Sequence, residues 1–204
     1  MSSSIVVIDS RVQDGSQLAQ AWQPAADVVL LDRCDDPLRT ILALVEAHGS
    51  ARTLHIVSHG AAGEIELGGV RLDTAALERQ ADVLGRIGQA LGDDAAVLLY
   101  GCEVAAGHNG DAFLDRLADL TGADVAASPL PMGAQSLGGH WQLEAWQGAG
   151  SAMPLPRVDD WMHTLPLFQG GADDDSLVGA EADDTLIGVG GGDTLIGGGW
   201  KSVA

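Results

Sequence analysis

Four short runs of strand-forming residues, "IVVID" (5–9), "VVLL" (28–31), "TLHIVSH" (53–59) and "AAVLLYG" (95–101), are separated by longer stretches with helical periodicity. Short apolar runs read as strands buried on both faces, and strands joined by helices read as parallel neighbours in one sheet. The helical stretches carry their own start and stop chemistry. "DPLRTILALVEAHG" has Asp36 as cap, Pro37 for the first turn and Gly49 as terminator, while "DGSQLAQAW" starts at Asp14 and "DTAALERQADVLGRIGQAL" at Asp73. A further unit, the helix "NGDAFLDRLADLTG" and the strand "ADVAAS", continues the alternation. "EIELGGVRL" (64–72) reads as a hairpin turning at Gly68-Gly69, and "HWQLEAW" (140–146) as a late edge strand. The pattern predicts an α/β domain with a mostly parallel central sheet over residues 1–165.

Beyond that boundary, over 166–204, the composition changes to Gly, Asp and isolated aliphatics. Aligned in nines, "GGADDDSLV" (170–178), "GAEADDTLI" (179–187) and "GVGGGDTLI" (188–196) repeat one pattern, with Gly first, Asp sixth (Asp175, Asp184, Asp193) and Leu eighth (Leu177, Leu186, Leu195). The repeat resembles the nonapeptide of RTX proteins. Glycines permit the tight turns, the aliphatic points into a thin core, and the carboxylate meets a hard cation between stacked turns. The resemblance implies a short β-roll-like segment that binds calcium through Asp175, Asp184 and Asp193. With so few units, and with the Asp lost in the next one, "GGGWKSVA", it reads as the start of a longer array.

The net charge of -19, from 29 acidic and 10 basic side chains, sets up a field that repels phosphate backbones and anionic headgroups, so nucleic acid is not an expected partner. No apolar run reaches the roughly 18 residues needed to cross a bilayer, so membrane insertion is not expected. "MSSSIVVIDS" enters the first strand without a basic leader, so export, where it occurs, is expected without an N-terminal signal peptide.

Chemistry concentrates at two strand ends. "TLHIVSHG" places His59-Gly60 after one strand and "AVLLYGC" places Cys102 after the next. In an open parallel sheet, ligands gather beyond the carboxyl ends of the strands. A thiol becomes a nucleophile when a histidine takes its proton, and the backbone N–H groups of Gly60 and Cys102 are placed to form an oxyanion hole. The bland alternative is that a cysteine ending a buried strand is a small core residue. Cys34, the other cysteine, is flanked by acids that oppose thiolate formation and reads as incidental. Ser58 lacks a nucleophile elbow. His55 reads as a packing residue, and His108 as a loop residue near the crevice. Residues 128–139, "SPLPMGAQSLGG", read as a loop contacting substrate. Trp141, Trp146 and Trp161 read as covers of the sheet or domain edge, with an aromatic lining to a substrate groove as the alternative, and "GAGSAMPLPRVDDW" reads as a protease-accessible linker.

A histidine-glycine after one strand and a cysteine after the next, in that order, resembles the caspase-like cysteine peptidases of clan CD. More closely, "HIVSHG", "LLYGCEVAAG", "TGADVAAS" and "GGHWQLE" resemble an uncharacterised domain at the N-termini of very large bacterial RTX and cadherin-like surface proteins. The resemblance implies a caspase-like three-layer sandwich, with His59 as general base or acid and Cys102 as nucleophile. It implies a cysteine endopeptidase that processes its own chain or a neighbouring polypeptide, in a secreted or cell-surface protein. A non-catalytic folding, secretion or adhesion module on the same scaffold is the alternative. One position departs: where clostripain and the metacaspases carry an aspartate two residues before the cysteine, this chain has Tyr100. Specificity for basic residues is therefore not implied, and Glu103, Asp124 and Glu144 remain equal candidates for an acidic pocket.

Overall fold

The computed structural model describes residues 3–23, 25–149, 154–165, 176–178, 186 and 191–196. In chain order its strands are β1 (Ser4–Asp9), β2 (Asp27–Leu31), β3 (Thr53–Val57), β4 (His59–Ala61), β5 (Glu64–Leu67), β6 (Val70–Asp73), β7 (Ala96–Tyr100), β8 (Asp124–Ala127), β9 (Ala145–Gln147), β10 (Ser176–Val178) and β11 (Thr194–Ile196). The helices are α1 (Gly15–Trp22), α2 (Pro37–His48), α3 (Thr74–Arg79), α4 (Ala81–Leu91) and α5 (Gly107–Thr121).

The central sheet has six strands in the order β2-β1-β3-β7-β8-β9. The first five run parallel and β9 closes the edge antiparallel to β8. Because side chains alternate along a strand, β1 sends Ile5 and Val7 into one apolar cluster and Val6 and Ile8 into another. The chain is therefore a mixed α/β structure with a mostly parallel sheet buried on both faces. Helices α2 to α5 supply one cover. The other combines α1 with the irregular chain around Trp141, Leu155 and Trp161, where Trp141 stacks edge-on to Trp22 at 5.6 Å and lies 5.5 Å from Trp161.

The signals at Asp36, Gly49 and Asp73 operate as the sequence predicts, whereas Asp14 precedes α1 at φ 51° and makes no side-chain cap hydrogen bond. The Asp36 carboxylate accepts from the Arg39 N–H at 3.1 Å, and Gly49 ends α2 at φ 71°. Asp73 accepts from the Ala76 N–H at 2.7 Å. The long helix expected after Asp73 is instead two, α3 and α4, broken at Gln80 (φ -110°, ψ 18°), whose side-chain amide reaches Asp36 at 3.5 Å. No glycine or proline marks that break, at which the Gln80 N–H donates to the Leu77 carbonyl at 3.0 Å.

Two further expectations change. Residues 140–144 do not form a strand: His140 makes an isolated parallel bridge to Met132, Trp141 and Leu143 point into the second cluster, and pairing with β8 begins at Ala145. Alternation there follows burial of every second side chain, which needs no ladder. The segment expected as an accessible linker is anchored at two points, Leu155 and Trp161, which are buried, while Pro154, Pro156, Arg157, Asp159 and Asp160 stay exposed. Trp22 Nε1 donates to the Pro156 carbonyl at 2.8 Å, and Trp161 Nε1 to the Gln13 carbonyl at 2.9 Å.

In the tail, β10 and β11 form their own parallel pair. Asp175 and Asp184 lie outside the described residues; Asp193, just before β11, is half-buried. No described helix is long and apolar enough to cross a membrane.

Candidate functional site

Strands β3 and β7 are neighbours in register, with Val57 opposite Tyr100. One residue later the Ser58 N–H still donates to the Tyr100 carbonyl at 3.0 Å, and then both chains leave the sheet. The first departs through His59 into β4, the first strand of a small antiparallel sheet β4-β5-β6 whose last turn is Gly68-Gly69, at φ 61° and 83°. The second departs through Gly101 and Cys102 into a tight turn in which Glu103 takes φ 59°, a conformation that non-glycine residues adopt only under local constraint. That turn is held by the 128–134 loop. The Glu103 N–H donates to the Leu130 carbonyl at 3.1 Å and the Ala105 N–H to the Ser128 carbonyl at 3.0 Å. Ser128 in turn lies 3.1 Å from His140 Nε2.

The two departing turns present their amides to one point. The N–H groups of Gly60 and Cys102 both donate to the Leu165 carbonyl oxygen, at 3.0 and 3.1 Å. Leu165 reaches this position in an extended strip against the loop. Its N–H donates to the Met132 carbonyl at 3.1 Å, Gly133 bridges Thr164 antiparallel, and the Ala134 N–H donates to the His163 carbonyl at 2.8 Å. Cys102 Sγ sits under the same strip, accepting from the Met132 N–H at 3.1 Å and lying 3.5 Å from the Met132 carbonyl. A cleft of about 560 Å³ is lined in part by Gly133, His140, Trp141, Arg157 and Met162 of the same loop and strip, and neither His59 nor Cys102 lines it.

The His59 ring is buried between charges. Its Nε2 is 3.4 Å from the Arg11 carbonyl, and its Nδ1 has no hydrogen-bond partner. Arg11 ties this corner together: its Nε meets Asp9 at 3.1 Å and its Nη1 meets Glu66 at 2.6 Å. Asp9 is itself buried and accepts from the Gly68 N–H at 2.6 Å. Burial pushes the His59 imidazolium down, with Arg11 adding to the effect and the Arg11 carbonyl, Asp9 and Glu66 opposing it. Burial pushes the Cys102 thiol up to about 11, against the backbone N–H groups of Met132 and Leu165, which favour thiolate. The resting pair is a neutral imidazole and a protonated thiol, and no hydrogen bond joins His59 to Cys102 among those found for the described residues.

The structure thus brings His59, Gly60 and Cys102 to one sheet edge and joins them through backbone groups. Other sequence candidates fall elsewhere. Asp124 begins β8, at the opposite edge of the sheet, and accepts from the Ala149 N–H at 2.9 Å; Glu103 and Glu144 are exposed. His55 is a packing residue, 3.4 Å from the Tyr100 hydroxyl, and His108 is exposed on α5. Ser58 is buried and donates to the His59 carbonyl at 3.2 Å. Both cysteines are free thiols. Asp9 and Arg11 escape a reading based on strand-end nucleophiles, although an aspartate closing "IVVID" stands at the same carboxyl edge. Met132 and Leu165 are apolar, and only the tertiary path of the chain brings them to the sulfur.

No curated protein matches the chain. Residues 5–165 match the family described as "Domain of unknown function (DUF4347)". That span runs from Ile5 in β1 through the strip carrying Leu165, and the chain belongs to the DUF4347 family.

Proposed function

We propose that the domain is a cysteine endopeptidase of caspase-like type, with Cys102 as nucleophile and His59 as its acid and base. The observation that carries this reading is the convergence of the Gly60 and Cys102 amides on a single carbonyl oxygen, at 3.0 and 3.1 Å. Two backbone donors fixed on one oxygen are what a tetrahedral intermediate requires. Reaction begins when His59, through the unpartnered Nδ1, takes the thiol proton. The sulfur attacks the carbonyl carbon, the oxygen gains negative charge between the two amides, and His59 returns the proton to the departing amine. Water then hydrolyses the thioester.

The tail supports its own part of the reading. Ser176 pairs with Thr194 and Leu177 with Leu195, so equivalent positions meet after two nonapeptides, as stacked coils of an RTX segment would require. Among the described residues no group of three or more His, Cys, Asp or Glu side chains gathers as a metal site. The donor chemistry, carboxylates at Asp175, Asp184 and Asp193 among glycine carbonyls, suits calcium. With the tail taken as an RTX segment, the proposed setting is outside the cell or on its surface, and the proposed substrate is its own chain or a neighbouring polypeptide.

A second reading, a non-catalytic module on the same scaffold, is favoured by the high thiol pKa and by the lack of a His59–Cys102 bond. Intact mass followed over time, with and without calcium, separates the two. Cleavage in wild type and not in Cys102→Ala supports the peptidase. Identical behaviour of the two towards peptides, a thiol-directed probe and their own chain removes it.

A further inference from the structure

The carbonyl between the Gly60 and Cys102 amides belongs to the chain itself. Leu165 is fully buried in the cluster that contains Val57, Cys102, Met132 and Trp161. Its backbone and that of Thr164 and His163 pair antiparallel with 132–134, as an added strand pairs with a sheet edge. The strip is anchored at its start by Trp161 Nε1 on the Gln13 carbonyl, and by His163 Nε2 at 2.9 Å from Asp14. An extended backbone, a buried side chain and a carbonyl held by two amides next to a thiol are together the features of a bound peptide.

We propose that residues 161–165 occupy this site as a resident peptide, and that the site selects an extended peptide with leucine as the residue whose carbonyl it holds. This rests on reading the Gly60 and Cys102 amides as the oxyanion hole. The buried leucine side chain sets the substrate class: an aliphatic residue fits where Leu165 lies, and a charged one would be desolvated without a partner. Tyr100 at the position before Gly101-Cys102 is consistent with this, being uncharged and committed to His55 and to the Leu155 N–H, which it accepts at 2.7 Å. The residue after Leu165 is Pro166, so the bond beyond the held carbonyl is a tertiary amide with a ring on the leaving nitrogen. That makes the segment a poor substrate and a durable occupant.

The test uses the full chain and two peptidyl chloromethyl ketones, acetyl-His-Thr-Leu and acetyl-His-Thr-Arg, with iodoacetamide as an untemplated control. In the peptidyl reaction the Cys102 sulfur displaces chloride: a C–S bond forms, the C–Cl bond breaks, and the thiol proton passes to His59. Labelling is read at Cys102 and Cys34 by peptide mass. Leu165→Ala is expected to label at Cys102 at least about tenfold faster than wild type, because the site is vacated more often. The leucyl reagent should outrun the arginyl one, and Cys34 should not change. Equal Cys102 rates in wild type and a folded Leu165→Ala overturn the resident peptide, and an arginyl reagent as fast as the leucyl one overturns the selection.

Should Leu165→Ala fail to fold, wild type answers the question by amide hydrogen exchange. After labelling with the leucyl reagent, exchange in 161–165 should rise while the Gly60 and Cys102 amides stay protected; an unchanged 161–165 overturns the proposal. His59→Ala separates the two readings. Labelling that Leu165→Ala accelerates equally with and without His59 shows a displaced segment over a non-catalytic thiol. Labelling that needs His59 but ignores Leu165→Ala shows a peptidase without this occupant.

Discussion

Gly60 and Gly101 meet backbone to backbone: a Cβ on either glycine would stand 3.2 Å from the Cα of the other. This close approach lets two strands that have already left the sheet aim their amides at one oxygen. A Cβ on Gly60 would also lie 2.6 Å from a methyl of Val104, which is fully buried and cannot withdraw. Gly60→Ala is expected to lose about 1–3 kcal/mol by overpacking, read as a lower denaturation midpoint. A wild-type midpoint would show that the two turns are not wedged together.

The order of thiol reactivity reports the state of the site. Cys34 is half-buried, whereas Cys102 is buried under Met132 with its thiol pushed up to about 11. Iodoacetamide near neutral pH is expected to modify Cys34 before Cys102, by about tenfold or more, since the thiolate is the reacting form. Cys102 should gain as pH rises towards 11. A Cys102 that reacts first at neutral pH would mean that an activated pair, not this closed one, is the resting state.

Asp9 organises the corner that holds His59, accepting from the Gly68 N–H and from the Arg11 backbone and side chain. Asp9→Asn replaces a charged acceptor with one that brings its own N–H groups into a buried site. About 2 kcal/mol of stability should be lost in denaturant unfolding. Because the Arg11 carbonyl lies against His59 Nε2, the pH profile of any Cys102 reaction that depends on His59 should shift with it. A stable variant with an unmoved profile would detach this ion pair from the site.

Burial pushes His55 down to about 4. In the unfolded chain the ring takes a proton near 6.5, and in the folded chain only near 4, so between these values the unfolded state binds more protons. Stability from this group is full above pH 6.5 and falls as pH drops to 4, by about 3 kcal/mol at most. His59, also pushed down, adds a loss of the same sign. Urea denaturation from pH 7 to 4 should show the decline, and His55→Asn should flatten part of it; equal slopes would place the sensitivity elsewhere.

What could be read from sequence was local. Asp36, Pro37 and Gly49 act within one helix, Gly68-Gly69 within one hairpin, and His59 and Cys102 each at the end of one strand, so spacing alone revealed them. The break at Gln80 comes with a contact to Asp36, far away in sequence, and the lost strand at 140–144 depends on which side chains the second face of the sheet takes in. The loop at 128–139 was legible as a neighbour of the site from its glycines and prolines. That its partner would be Leu165 was not, since nothing near an apolar residue at the end of a Pro-rich segment encodes a contact with strand ends far earlier in the chain.

The carbonyl of Leu165 is covalently part of the chain whose amides it meets. A tethered group competes at an effective concentration of about 1 mM or more, whereas a peptide in solution at about 1 μM is roughly a thousandfold more dilute. At equal intrinsic strength, the tethered group therefore occupies the site about a thousandfold more often than the free peptide. A polypeptide carried on the same chain or fixed beside it shares the advantage that Leu165 has. On the proposed reading, the tether favours neighbouring polypeptides over passers-by before any side chain is compared.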